Sequence, residues 1–259
     1  MRIKQSICYQ LFKPDDMSLD ALFETTAEIG YAAVELWMRG DDFEEVVKTA
    51  HKNNLVVASM IGHHSLPDGL NKPSNHARIE AELKESIDIA ADNNMPGLIC
   101  FSGNRIPYQT EPEAIEAVAD GLKRVAGYAE DKGINLNLEL LNSKVNHPGY
   151  LCDHTTWGAA VCEKVNSPRV KLLYDIYHMQ IMEGDIIRTI HDYIDWIGHF
   201  HTAGNPGRNE IDDSQEMNYV GICKAIAETD YDLYLGHELM PKGDKLEALQ
   251  QSFTICDQG

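Results

Sequence analysis

Apolar and polar positions alternate in two rhythms along this chain. Short runs rich in β-branched and aromatic residues span Ile3 to Tyr9, Ala33 to Trp37, Val56 to Ile61 and Gly97 to Phe101. Four more span Ile134 to Leu140, Val170 to Tyr177, Ile197 to His201 and Leu233 to Glu238. Each reads as a strand. Between them lie amphipathic stretches with helix start and stop signals. Ser18 precedes LDALFETTAEI and Gly30 follows it, and Ser74 precedes a long run to Asn93. Pro112 stands in the first turn of a run reaching Asp131 and closed by Gly133, while Asp153 caps the run to Val165. Gly184, Asn218 and Asp244 open the last three. Strict βα alternation without a composition break predicts a single (β/α)8 TIM barrel over 1–259. An open doubly wound sheet is the runner-up, but Leu11-Phe12-Lys13-Pro14 stands where its Gly-rich phosphate turn would be.

Composition narrows the partners. Lys+Arg 22 against Asp+Glu 41 gives a net charge of −19, with no basic stripe, so nucleic acid and anionic membrane surfaces are poor partners. No apolar run approaches the roughly 20 residues that span a bilayer. The opening MRIKQSICYQLF is too short and polar for a signal peptide. Cys8, Cys100, Cys152, Cys162, Cys223 and Cys256 show no metal-ribbon or redox spacing and read as reduced core thiols of a cytoplasmic protein.

Chemistry gathers at the strand ends. VKLLYDIYHMQ puts Asp175 at the end of an apolar strand and His178 three residues on. Alone, such an acid reads as a helix cap. INLNLEL ends in Glu139, IGHFH in His201 and YLGHE in Glu238, so three further strands end in the same way. The helix-to-strand connections are brief and the strand-to-helix ones long, which makes the side fed by these ends the functional face. Three carboxylates and one imidazole converging there need a cation. An oxygen-rich set with one nitrogen suits Mn²⁺, Mg²⁺ or Co²⁺ better than Zn²⁺.

LNLEL around Glu139, YDIYHMQ around Asp175 and His178, AGNPGRNE from Ala203 to Glu210 and GHELMP around Glu238 carry a resemblance. The chain resembles the xylose-isomerase-like TIM barrels and, within them, the hydroxypyruvate isomerase family. The resemblance implies one divalent metal held by Glu139, Asp175, His201 and Glu238. It also implies that Glu139 and Glu238 form the acid/base pair, and that His178 and Arg208 hold substrate oxygens. The expected reaction interconverts a small hydroxy-aldehyde and hydroxy-ketone, such as hydroxypyruvate and tartronate semialdehyde, through an enediolate. At His201 the chain departs from the branch: hydroxypyruvate isomerases usually carry Gln there, and ketose 3-epimerases carry His.

The chemistry can also be argued without the family. Isomerisation needs a proton removed beside a carbonyl and returned one carbon along. Glu139 and Glu238, on the fifth and eighth strands, are well separated around the ring for that purpose. His178 falls on the rim, and the Asn205-Pro206-Gly207-Arg208 loop can bring a guanidinium over the mouth. His63 and His64 end the third strand, where one of them, with His64 the candidate, lines the site. Glu35 and Trp37 share an inward face, with Trp37 a wall for a short substrate. His51, His76, His147 and His191 read as surface positions. The rival readings are a ketose 3-epimerase, a catalytically silent subunit of a sugar-processing complex, and a three-zinc DNA-repair endonuclease, which the net −19 disfavours. The expected partner is a small hydroxy-oxo acid or sugar, and a homo-oligomer is compatible with this class.

Overall fold

The computed structural model describes residues 2–259. Its strands are β1 (Lys4–Cys8), β2 (Ala33–Glu35), β3 (Val56–Ile61), β4 (Gly97–Cys100), β5 (Asn135–Glu139), β6 (Val170–Asp175), β7 (Ile197–Thr202) and β8 (Tyr234–His237). They form a closed barrel in sequence order, and the fold is a (β/α)8 TIM barrel. The early helices are α1 (Tyr9–Phe12), α2 (Leu19–Ile29), α3 (Phe43–Lys52), α4 (His76–Asp92) and α5 (Glu111–Lys132). The later ones are α6 (Thr155–Val165), α7 (Ile176–Met182), α8 (Ile186–Tyr193), α9 (Tyr219–Ala227) and α10 (Lys245–Cys256). No helix among the described residues is long and apolar enough to cross a membrane.

The punctuation read from the sequence largely operates. Ser18 Oγ accepts the Ala21 N–H at 3.2 Å, and Gly30, at φ 116°, closes α2 in the left-handed region. A cap of that kind contributes about 1 kcal/mol. Asn218 and Asp244 cap α9 and α10 as expected. Pro112 stands in the first turn of α5 and Gly133 closes it as expected, while the start signal itself is a capping box of Thr110 and Glu113. Other boundaries differ. Ser74 lies in a 3-10 turn over Pro73–Asn75 rather than capping α4. His154 precedes α6, because the buried Asp153 carboxylate is taken up by Arg105, Ser143 and His154. Asp185, not Gly184, occupies the N-cap of α8, and α3 had no start signal singled out. β6 stops at Asp175, where the chain turns directly into α7.

Contacts within the chain gather into two units. The first runs through Met60 and takes in Asp185–Ile194 and Phe200–Gly259. Here β1 pairs in parallel with β2 and β8, and His201 of β7 lies opposite Gly236 of β8. The second comprises Ile61–Gly184 and Asp195–His199. In it β5 lies between β4 and β6, with Asn137 opposite Ile99 and Glu139 opposite Leu173. Every residue of β5 is buried, apolar and polar alike. A polar face therefore runs beneath Glu139, as the alternation of Asn135, Asn137 and Glu139 predicts. The six cysteines are buried and form no disulfide among the described residues.

Candidate active site and metal centre

Asp175 carries both roles that its position suggested. Its Oδ1 accepts the His178 N–H at 3.0 Å and so caps α7. The cap fixes the carboxylate's direction and leaves Oδ2 for other work. Glu139 ends β5 at 6% exposure, and the phenol of the buried Tyr150 donates to its backbone carbonyl at 3.1 Å.

At the ends of β7 and β8 the side chains are oriented by carboxylates. His201 Nε2 lies 3.0 Å from Glu35 Oε2, which fixes the ring and leaves Nδ1, 3.4 Å from Glu238 Oε2, on the other side. Glu35 in turn accepts from the Ser6 hydroxyl. Gly236 is needed here, because a Cβ would collide with the Glu35 carboxylate. Burial is the largest influence on His201 and lowers its pKa, but Glu35 and Glu238 outweigh it and hold the imidazole well above its ordinary value. Beside them the buried, neutral His237 links Thr202 Oγ1 (2.7 Å) to Gln5 Oε1 (2.9 Å), with desolvation pulling it down to about 3.

Glu238 is held from two directions. Trp37 Nε1 donates to Oε1 at 2.7 Å, and the Arg208 guanidinium pairs with Oε2. The sequence made Trp37 an apolar wall; it is 38% exposed and also anchors the acid. Arg208 arrives there because its loop is tied down. Its N–H donates to Gly204 O and its carbonyl accepts from Met240 N, both at 2.8 Å, while Gly207 and Arg208 adopt positive φ.

One donor atom from each of Glu139, Asp175, His201 and Glu238 lies within 4.8 Å of the others, and all four residues are buried. Carboxylates at that separation repel by about 3.5 kcal/mol per pair at an effective dielectric near 20. Three carboxylates and one imidazole at this spacing fit a hard divalent cation.

His178 is fully buried, with Nδ1 2.5 Å from Asn142 Nδ2 and Nε2 3.6 Å from Asp175 Oδ2. His64 is exposed, and its backbone N–H donates to Glu82. His63 is buried, its Nε2 accepting from Phe101 N and its Nδ1 donating to His64 O. Of the residues read as surface, His76 is instead buried and bonded to Leu70 O at 2.9 Å, and His147 packs edge-on against His178. Glu35 and Asn142 are the site residues to which the sequence reading gave no role. The inward parity of Glu35 and the placement of Asn142 just past Glu139 were the available signals.

A model of the xylose isomerase-like TIM barrel matches residues 23–255, and the chain belongs to that family. It is an enzyme of the isomerase class. A putative hydroxypyruvate isomerase of Homo sapiens is 26% identical over 257 residues, covering 95% of this chain and 92% of that one. Hydroxypyruvate isomerase of Escherichia coli is 29% identical over 236 residues, covering 86% and 88%. Among solved structures, a family 2 AP endonuclease from Brucella melitensis superposes with a TM-score of 0.78 at 23% identity, covering 96% and 97%. D-psicose 3-epimerase from Clostridium cellulolyticum does so with 0.76 at 19%, covering 97% of each chain. At these identities the structures share the fold.

Proposed function

We propose that the chain interconverts a small hydroxy-aldehyde and hydroxy-ketone, with hydroxypyruvate or a related oxo-acid as substrate. The observation that carries this reading is the buried set Glu139, Asp175, His201 and Glu238. These four residues would hold one Mn²⁺, Mg²⁺ or Co²⁺, which when bound would supply Lewis-acid polarisation of the substrate's carbonyl and hydroxyl oxygens. Glu139 and Glu238 act as the proton carriers, one taking the proton from a carbon beside the carbonyl and the other returning a proton to the neighbouring carbon. The Trp37 and Arg208 contacts hold the Glu238 carboxylate in a fixed orientation, so that little reorganisation accompanies the transfer. His178 holds a substrate oxygen. Arg208 already engages a carboxylate, that of Glu238, and its planar fork suits an oxo-acid.

His201 favours one second reading, epimerisation at C3 of a ketose by the same acid/base pair, since its position matches the epimerases rather than the hydroxypyruvate isomerases. Proton NMR in heavy water, with short oxo-acids and ketoses, separates the two. Deuterium should enter the carbon beside the carbonyl of hydroxypyruvate, with tartronate semialdehyde formed. Exchange confined to C3 of a ketose would move the assignment to the epimerase, and no exchange in metal-loaded protein would remove both. Arg208→Lys, which keeps a cation for Glu238 but loses the planar fork, should cost about 2 kcal/mol in kcat/KM on the oxo-acid and much less on a neutral ketose.

A further inference from the structure

We infer that Asn142 is a positioning residue that sets the tautomer of His178, making its Nε2–H the donor offered to substrate. This inference deepens the proposed reaction and rests on it for the role of His178, although the tautomer itself does not. It begins with the orientation of an amide. Asn142 is fully buried just past the end of β5. Its Oδ1 accepts two backbone N–H groups, from Val145 at 3.0 Å and Asn146 at 2.8 Å. Backbone amides only donate, so that atom is the oxygen and the other is the NH₂. One Nδ2 hydrogen goes to Asn146 Oδ1 at 2.8 Å, and the other faces His178 Nδ1 at 2.5 Å.

An amide nitrogen cannot accept, so His178 Nδ1 must carry the lone pair. The proton of the neutral imidazole is then on Nε2, on the side of Asp175 Oδ2 at 3.6 Å. The ring has little freedom to turn over. It is buried at 0% exposure, its own N–H is held by Asp175, and Tyr177 and His147 pack edge-on against it. Asn146 Oδ1, placed as the acceptor by the Asn142 NH₂, also takes a hydrogen bond from the Tyr177 hydroxyl at 3.0 Å.

The test is a long-range ¹H–¹⁵N correlation spectrum of Mg²⁺-loaded protein labelled with ¹⁵N-histidine, with His178 assigned by its loss in His178→Gln. In the wild type Nδ1 should give the shift of a lone-pair-bearing nitrogen and Nε2 that of a protonated one. Asn142→Asp keeps an oxygen for Val145 and Asn146 but replaces the NH₂ with an acceptor, so Nδ1 should become protonated. The same variant should lose about tenfold or more in kcat/KM on the substrate that the wild type turns over. A wild-type spectrum with the proton on Nδ1 overturns the inference without any variant, as does an Asn142→Asp spectrum unchanged at Nδ1. A switched tautomer with unchanged kcat/KM overturns the step from tautomer to substrate. A wild type inactive on every oxo-acid and ketose instead defeats the proposed reaction, and the spectra remain decisive for the tautomer.

Discussion

Two barrel strands lead to a buried histidine, and their surroundings give it opposite fates. At the end of β3, His63 is 2% exposed and meets only backbone at its nitrogens, accepting from Phe101 N at 2.9 Å and donating to His64 O at 3.2 Å. Desolvation dominates there and brings its pKa down to about 4, so the ring is a neutral strut between the ends of β3 and β4. On β7, His201 is 1% exposed but lies between Glu35 and Glu238, and its pKa is raised instead. Equal burial therefore gives a structural histidine in one place and a candidate ligand in the other. What differs is whether carboxylates or peptide groups supply the partners. The carboxylates that hold a proton on His201 also attract a cation, and the two compete for Nδ1.

The comparison breaks most visibly in turnover. Glu238→Gln should lower kcat by about 10²–10⁴-fold in protein whose metal content is measured alongside, whereas His63→Gln should leave it within about twofold. Normal turnover in fully metallated Glu238→Gln would remove the acid/base role. The next effect lies in stability against pH. The folded-state pKa of His63 is about 4, below its ordinary 6.5, so the unfolded chain binds the proton first. The contribution is complete above about pH 6.5 and is lost as pH falls toward about 4, at about 1.4 kcal/mol per pH unit. Urea unfolding at pH 7 and pH 4.5 should show a smaller loss in His63→Gln, by about 2–3 kcal/mol. Equal losses would mean that His63 is not the buried neutral group described.

At the other histidine, Glu35→Gln should weaken Mn²⁺ binding by about 10–100-fold in calorimetric titration, because it loosens the ring that presents Nδ1. Unchanged affinity would make Glu35 a packing residue. The smallest effect is expected at His64→Ala, within about 0.5 kcal/mol of wild type in stability. A large fall in kcat/KM there would restore His64 as a substrate contact.

Much of the fold was legible because its determinants are local. The apolar period, Ser18, Gly30, Asn218 and Asp244 act within a few residues of themselves, and the structure uses each where expected. Alternation along β5 similarly placed Asn137 and Glu139 on one face. Of two boundaries that differ, one does so because a side chain had a stronger distant claim. Asp153 left its cap for Arg105 and Ser143, and Ser74 entered a 3-10 turn.

The sequence by itself determined the βα alternation, the polar strand ends and the identity of the four candidate ligands, since periodicity and chain order encode these directly. Tertiary structure alone decided that Glu35 takes His201 Nε2, that His63 meets only backbone and that Trp37 reaches Glu238. It also decided that Asn142 turns its amide toward His178. Each of these depends on partners brought close by barrel closure or loop packing, 166 residues apart for His201 and Glu35 and 201 for Trp37 and Glu238. The charge and hydrogen-bond character of a buried group depend on what surrounds it in space, and the order of residues along the chain does not specify that.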